Sequence, residues 1–106
     1  MPEQSDTPIL DLVTGMTADS IKASNLDPDT LMLVRIAALV AVDAPPASYL
    51  MNLGAAAELG IGEEQVRGVL AAVAPIVGTP RVVAATGNIV RALGFALEMA
   101  DLEDEG

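Results

Sequence analysis

The sequence has no cysteine, histidine or tryptophan, and each absence closes a class of chemistry. Without cysteine there is no thiolate nucleophile, no redox-active thiol pair and no disulfide framework. Without histidine there is no imidazole to move protons near neutral pH or to ligate a metal. Aromatics are almost missing too, at 2% of 106 residues, with Tyr49 and Phe95 the two present. Basic residues are scarce: 5 Lys+Arg stand against 15 Asp+Glu, for a formal net charge of −10. That field repels phosphate backbones and anionic lipid, so neither nucleic acid nor a membrane is an expected partner. The apolar run over 36–42 stops at Asp43, Ala44, Pro45 and Pro46, well short of the roughly 20 residues that span a bilayer. The first seven residues hold no basic segment followed by an apolar stretch, which makes cytoplasm the expected location.

Hydrophobic residues nevertheless make up 52% of the chain, and their bulk comes from Ala, Val, Leu, Ile and Met. A chain of this length holds one core, and as a lone domain it buries only about 60–65% of its unfolded surface. An apolar excess beyond what one small core can cover points to partner subunits, so a homo-oligomer is expected. The organisation reads as a flexible start over 1–7, one helical domain over 8–100, and an acidic tail over 101–106 containing Asp101, Glu103, Asp104 and Glu105.

Within the domain, Ile9, Leu10, Leu12, Val13, Met16 and Ile21 give a weak amphipathic pattern interrupted by Gly15, which predicts one or two short helices over 8–23. A sharper start follows. Asp27 suits an N-cap, Pro28 the first helical position and Asp29 the positive helix end, predicting a helix over 28–42 that is apolar nearly all round. After the Ala44-Pro45-Pro46 break, residues 47–59 read as a helix closed by Gly60. Gly62, Glu63 and Glu64 open the next, with Val66, Val69, Leu70 and Val73 at helical spacing, and Pro75 kinks or ends it. Thr79 and Pro80 begin a last helix over 80–100, although Val82-Val83 and Ile89-Val90 around Thr86-Gly87-Asn88 also fit two strands and a turn. A lone hairpin would have no sheet to join, so helix is preferred and the fold class is all-α, a compact bundle.

Two stretches then carry a resemblance: Gly54-Ala55-Ala56-Ala57-Glu58-Leu59-Gly60-Ile61-Gly62-Glu63-Glu64-Gln65-Val66 and Ala74-Pro75-Ile76-Val77-Gly78-Thr79-Pro80-Arg81. With the Leu26-Asp27-Pro28-Asp29-Thr30 helix start, they resemble the carboxymuconolactone decarboxylase and alkylhydroperoxidase D-like superfamily over roughly residues 26–94. The resemblance implies an all-helical protomer assembled as a homotrimer or homohexamer, with a pocket at or near subunit contacts. The peroxidase branch of that superfamily carries Cys-x-x-Cys-x-x-x-His, and its positions fall here on Pro45, Ser48 and Asn52. The acidic residue of the preceding helix falls near Leu33. The decarboxylase branch normally works with a histidine, which is absent. Thiol peroxidase activity is therefore excluded, and neither a cofactor nor a metal is expected.

Candidate ligand-binding residues are Ser48, Tyr49, Asn52 and Arg35. Ser48 and Asn52 lie four apart on one helix face beside Tyr49, near a positive helix terminus that favours a carboxylate; equally, such groups satisfy local backbone or pack at an interface. Arg35 fits an anionic ligand through its planar fork, or pairs with Asp43 or a neighbouring subunit's acid. Arg81, in a first helical turn, needs a carboxylate partner or ligand because the dipole gives it nothing. Glu63 and Glu64 read as first-turn acids rather than a metal or general-base site. Met16, Met32, Met51 and Met99 read as gap-filling core. Two functional readings result: a carboxymuconolactone decarboxylase-like oligomer that binds a small carboxylate-type molecule, with non-redox lyase or isomerase chemistry open to it, and a catalytically silent scaffold or partner subunit of the same fold.

Overall fold

Proline at the first helical position recurs at three helix starts, where its fixed φ is already helical and its missing N–H would have had no partner. These open α1, Pro8–Ser24, α2, Pro28–Ala41, and α3, Pro46–Glu58. Two further helices follow, α4, Glu63–Val77, and α5, Thr79–Glu105. The computed structural model describes residues 6–105, with side chains described through residue 94. Residues 1–5 of the expected flexible start lie outside the described residues, as do the side chains of Phe95, Leu97, Met99 and the acidic group at 101–106.

Local chemistry fixes the boundaries. The Asp27 carboxylate accepts from the Thr30 amide at 3.2 Å and from the Thr30 hydroxyl at 2.7 Å, capping α2. Those hydrogen bonds hold its carboxyl below the ordinary carboxylate value. At the other end of α2, Asp43 takes a left-handed φ of 55°. The Ala44 amide then donates to the Leu39 carbonyl and the Asp43 amide to the Val40 carbonyl, closing the helix without glycine. The end of α3 uses the same pattern in the expected way: Gly60, at φ 81°, donates to the Ala57 carbonyl, and Ile61 donates to the Ala56 carbonyl. Pro75 does not end α4. It forgoes one hydrogen bond, and the helix runs on to Val77 before Gly78, at φ 88°, turns the chain.

The last segment is one continuous helix, extending past the expected end at Ala100, and no strand occurs among the described residues. Thr86 donates to the Val82 carbonyl at 2.8 Å, and Asn88 reaches the Ala44 carbonyl at 3.2 Å, so the Thr86-Gly87-Asn88 stretch is helix interior tied to the end of α2. The first segment is likewise one helix rather than two.

Four helices make the body. α2 packs on α3 and α4, α3 on α5, and α5 also meets α4 and α2. One buried cluster holds Val40, Ala44, Tyr49, Ala85, Ile89 and Ala92. A second holds Leu31, Met32, Ile36, Ala56 and Ile61, with Leu53 and Val66 packed against both. The four buried alanines, Ala44, Ala56, Ala85 and Ala92, let backbones approach closely, which is how a core forms almost without aromatics. Met32 is core as expected, but Met16 and Met51 are exposed, because their helix faces meet nothing within the chain. No residue of α1 is buried. No helix among the described residues is long and apolar enough to cross a membrane.

Candidate functional site

α2 turns Arg35 toward α1, and α3 turns Asn52 toward the same side of the body. Together with Val13, Met16, Thr17 and Ser20 of α1, and Ala38 and Leu39 of α2, they line a groove of about 350 Å³. The α1 contribution follows from spacing: residues 13, 16, 17 and 20 recur at i, i+3, i+4 and i+7, one face of a helix.

Arg35 is half-buried, and its Nη2 donates to the Thr17 carbonyl at 3.4 Å. Among the described residues the one ion pair is Arg67 with Glu63, so Arg35 has no carboxylate partner there and does not pair with Asp43. A guanidinium carries five N–H donors, and this one leaves most of its fork for a ligand or for solvent. Asn52 is half-buried, with Nδ2 donating to the Ser48 carbonyl at 2.8 Å. That back-bond fixes the amide and leaves Oδ1 and the second N–H without a partner among the described residues. Ser48 is half-buried one turn earlier, beside the α3 start.

Tyr49 goes elsewhere. Its side chain is fully buried with Val40, Ala44, Ile89 and Ala92, on the face of α3 that meets α5, and it does not line the groove. Its hydroxyl has no hydrogen-bond partner among the described residues. Burial pushes the phenol above its ordinary value of 10.0, and the Asp43 carboxylate pushes in the same direction. The four candidates therefore separate: Arg35 and Asn52 share the groove, Ser48 supports Asn52 through its backbone, and Tyr49 belongs to the core. Thr17 and Ser20 belong to the groove without having been anticipated, although the i, i+3, i+4, i+7 pattern with Val13 and Met16 is visible in the sequence.

The other candidates are surface groups. Glu63 and Glu64 are exposed in the first turn of α4. Glu63 pairs with Arg67, whose hydrogen bond and charge lower the Glu63 carboxyl and raise the guanidinium. Gln65 Oε1 accepts from the Gly62 amide at 2.9 Å, closing the helix start. Arg81 is exposed, with no ion pair among the described residues. Pro45 caps α3, its carbonyl accepting from the Ser48 amide at 3.1 Å, and Leu33 packs against the cluster of Leu31, Met32, Ile36, Ala56 and Ile61. Pro45, Ser48, Asn52 and Leu33 thus supply a helix start, a self-bonded amide and packing.

In its chemistry the groove offers one cation, one amide and two hydroxyl-bearing residues within aliphatic walls, and among the described residues no carboxylate lines it. Such a set recognises a small anion with an apolar body. The family model described as "Carboxymuconolactone decarboxylase family" matches residues 8–88. No curated protein and no solved structure matches the chain.

Proposed function

We propose, on the premise that this chain belongs to the carboxymuconolactone decarboxylase family, that it assembles as a homotrimer or homohexamer and binds a small organic carboxylate in the groove between α1, α2 and α3. The observation that carries this reading is Arg35: a half-buried guanidinium without a carboxylate partner among the described residues, set beside the Asn52 amide in an otherwise aliphatic groove. A carboxylate would accept two parallel N–H bonds from the Arg35 fork, with Asn52 donating to or accepting from a second polar group. Val13, Met16, Ala38 and Leu39 would cover the apolar body of the ligand.

Thiol redox chemistry is closed to it, because the chain holds no cysteine. The groove supports binding more directly than proton transfer. Among the described residues Arg35 is the one charged residue of its lining, and a guanidinium offers donors only, with no acceptor to take up a proton. This favours a second reading, in which the protein is a silent scaffold or partner subunit of the same fold. Calorimetric titration with a panel of small mono- and dicarboxylates, using the matching amides as neutral controls, tests the site. Binding should be confined to the acids, and Arg35→Gln should weaken it about 10- to 100-fold, the loss of a charge-assisted pair. Equal binding of acids and amides, or none by either, sinks the carboxylate site. Turnover of carboxymuconolactone by the purified protein separates the two readings: decarboxylation supports the enzyme, and binding without turnover supports the scaffold.

A further inference from the structure

The two walls of the ligand groove are held in different ways. On the body side, Leu39 packs against the buried cluster that includes Val40, Ala44 and Tyr49, and the Asn52 amide is fixed by its bond to the Ser48 carbonyl. On the α1 side, Val13 and Met16 are 47% and 62% exposed, and α1 buries no residue. None of the helix packings that build the body includes α1. Among the described residues, the one hydrogen bond from α1 to another helix is that from Arg35 to the Thr17 carbonyl, and at 3.4 Å it is a long one.

Packing supplies most helical stability in proteins, and an element without it opens on its own at little cost. The link at 25–27 lets α1 do so. Asn25 takes a left-handed φ of 53° at the end of α1, and Asp27 and Pro28 then start α2 afresh, so the capped start of α2 does not depend on where α1 lies. What α1 lacks is an apolar partner for the face it turns to the groove. A ligand seated on Arg35 with an apolar body would supply one, because that body would lie among Val13, Met16, Ala38 and Leu39. A carboxylate without a body would not, because Arg35 belongs to α2 and its guanidinium has donors to spare beyond the Thr17 bond.

We infer that α1 is a strap held closed over the groove by the apolar body of the ligand, so that the site selects amphipathic carboxylates and docks α1 as it binds them. This rests on the carboxylate site proposed above and adds what its aliphatic wall does. By linkage, the ligand favours closed α1 by the same factor by which closed α1 tightens the ligand.

The experiment pairs calorimetry with amide hydrogen exchange read residue by residue on the whole chain. Hexanoate is the probe, acetate the carboxylate without a body, and hexanamide the body without a charge. In the free protein, α1 amides should exchange about tenfold or more faster than those of α2, through an opening of their own. Hexanoate at about ten times its Kd should slow the α1 amides about tenfold. Acetate and hexanamide at the same concentration should leave them unchanged. Gly15→Pro, which breaks α1, should weaken hexanoate about tenfold while α2 exchange stays as in the wild type, and Met16→Ser, which keeps the helix, should weaken it less. Hexanoate that gives neither binding heat nor protection overturns the carboxylate site, and the strap with it. Hexanoate that binds without slowing α1, acetate that protects α1 equally, free α1 amides as slow as those of α2, or undiminished binding by Gly15→Pro overturns the strap alone and leaves the Arg35 site standing.

Discussion

α1 and α2 are neighbours in sequence, both start on proline at the first helical position, and both are rich in Leu, Ile, Val and Met, yet one buries four side chains and the other none. In α2, Leu31, Met32, Ile36 and Val40 recur at spacings of one, four and four, so they lie along one side, and α3, α4 and α5 meet that side. In α1 the comparable residues cover a broad arc that only the groove beside Arg35 faces. Apolar composition thus states a demand for cover, and only the packing says whether the chain itself meets it. The difference also bears on function, because the candidate ligand groove lies on the boundary between the two helices. One wall is fixed by the core, and the other is fixed by a helix that the core does not hold.

The strongest way to break the comparison is to damage each helix at its centre. Ile36 is 0% exposed, and Ile36→Ala should cost about 2–5 kcal/mol, the lost transfer energy plus the cavity left behind. In Gly15→Pro, the proline should cost α1 about 2 kcal/mol of local helix stability relative to glycine, yet move the unfolding midpoint of dilute chain by under about 0.5 kcal/mol equivalent. Urea titration read by circular dichroism measures both: helicity falls in Gly15→Pro, while the cooperative transition stays put. A Gly15→Pro loss as large as that of Ile36→Ala would show that α1 is part of the cooperative core.

Tyr49 sharpens the comparison within the core. A buried hydroxyl without a partner costs free energy that a phenyl ring does not, so Tyr49→Phe should stabilise the protein by about 1 kcal/mol. It should also change the alkaline limb. With the folded phenol above its ordinary 10.0, stability is at full value below about pH 10 and falls as pH rises through the window up to the raised native value. Tyr49→Phe should abolish that component, and Asp43→Asn should narrow it by removing the second cause. An unchanged alkaline limb in Tyr49→Phe would place the titrating group elsewhere.

Much of the fold was legible because its boundaries are set by local chemistry: Asp27 with Pro28, and Gly60, each act within a few residues, whereas Thr79, read as a cap, is the first residue of α5. Of the two outcomes open at Pro75, a kink or an end, the end did not occur, because a proline near a helix end costs one hydrogen bond and the following turn can still form; the helix stops at Gly78. Thr86-Gly87-Asn88 invited a turn because Asn88's partner, the Ala44 carbonyl, is 44 residues away and invisible to any local rule. The site was half legible for a similar reason. Spacing placed Ser48 and Asn52 on one face, but which of two adjacent residues, Ser48 or Tyr49, meets α5 depends on how α3 is rolled against its neighbours. The missing wall, Thr17 and Ser20, sits on a helix that buries no residue, so no core face on it showed which side meets α2 and α3.

The smallest expected effect concerns how the two helices begin. The Asp27 carboxylate caps α2 through the Thr30 amide and hydroxyl, whereas the N-cap of α1, Thr7, makes no side-chain cap hydrogen bond and instead donates to Asp11 at 3.4 Å. Because α2 is coupled to the core, its cap should register in the global transition. Asp27→Ala should lower the unfolding midpoint modestly at neutral pH, and Asp27→Asn, which keeps an acceptor, should lower it less. The pH dependence separates cap from charge. The folded carboxyl lies below its unfolded value of about 3.9, so its contribution is complete above that value and is lost as pH falls through the folded value. Glu63 is also lowered and titrates in the same direction, so the readout is the difference between wild type and Asp27→Asn, measured from pH 6 downward. The two curves should converge as the pH falls below about 3.9. Curves that stay parallel would mean that the Asp27 cap acts through shape alone, and the contrast with α1 would then rest on packing without help from the helix start.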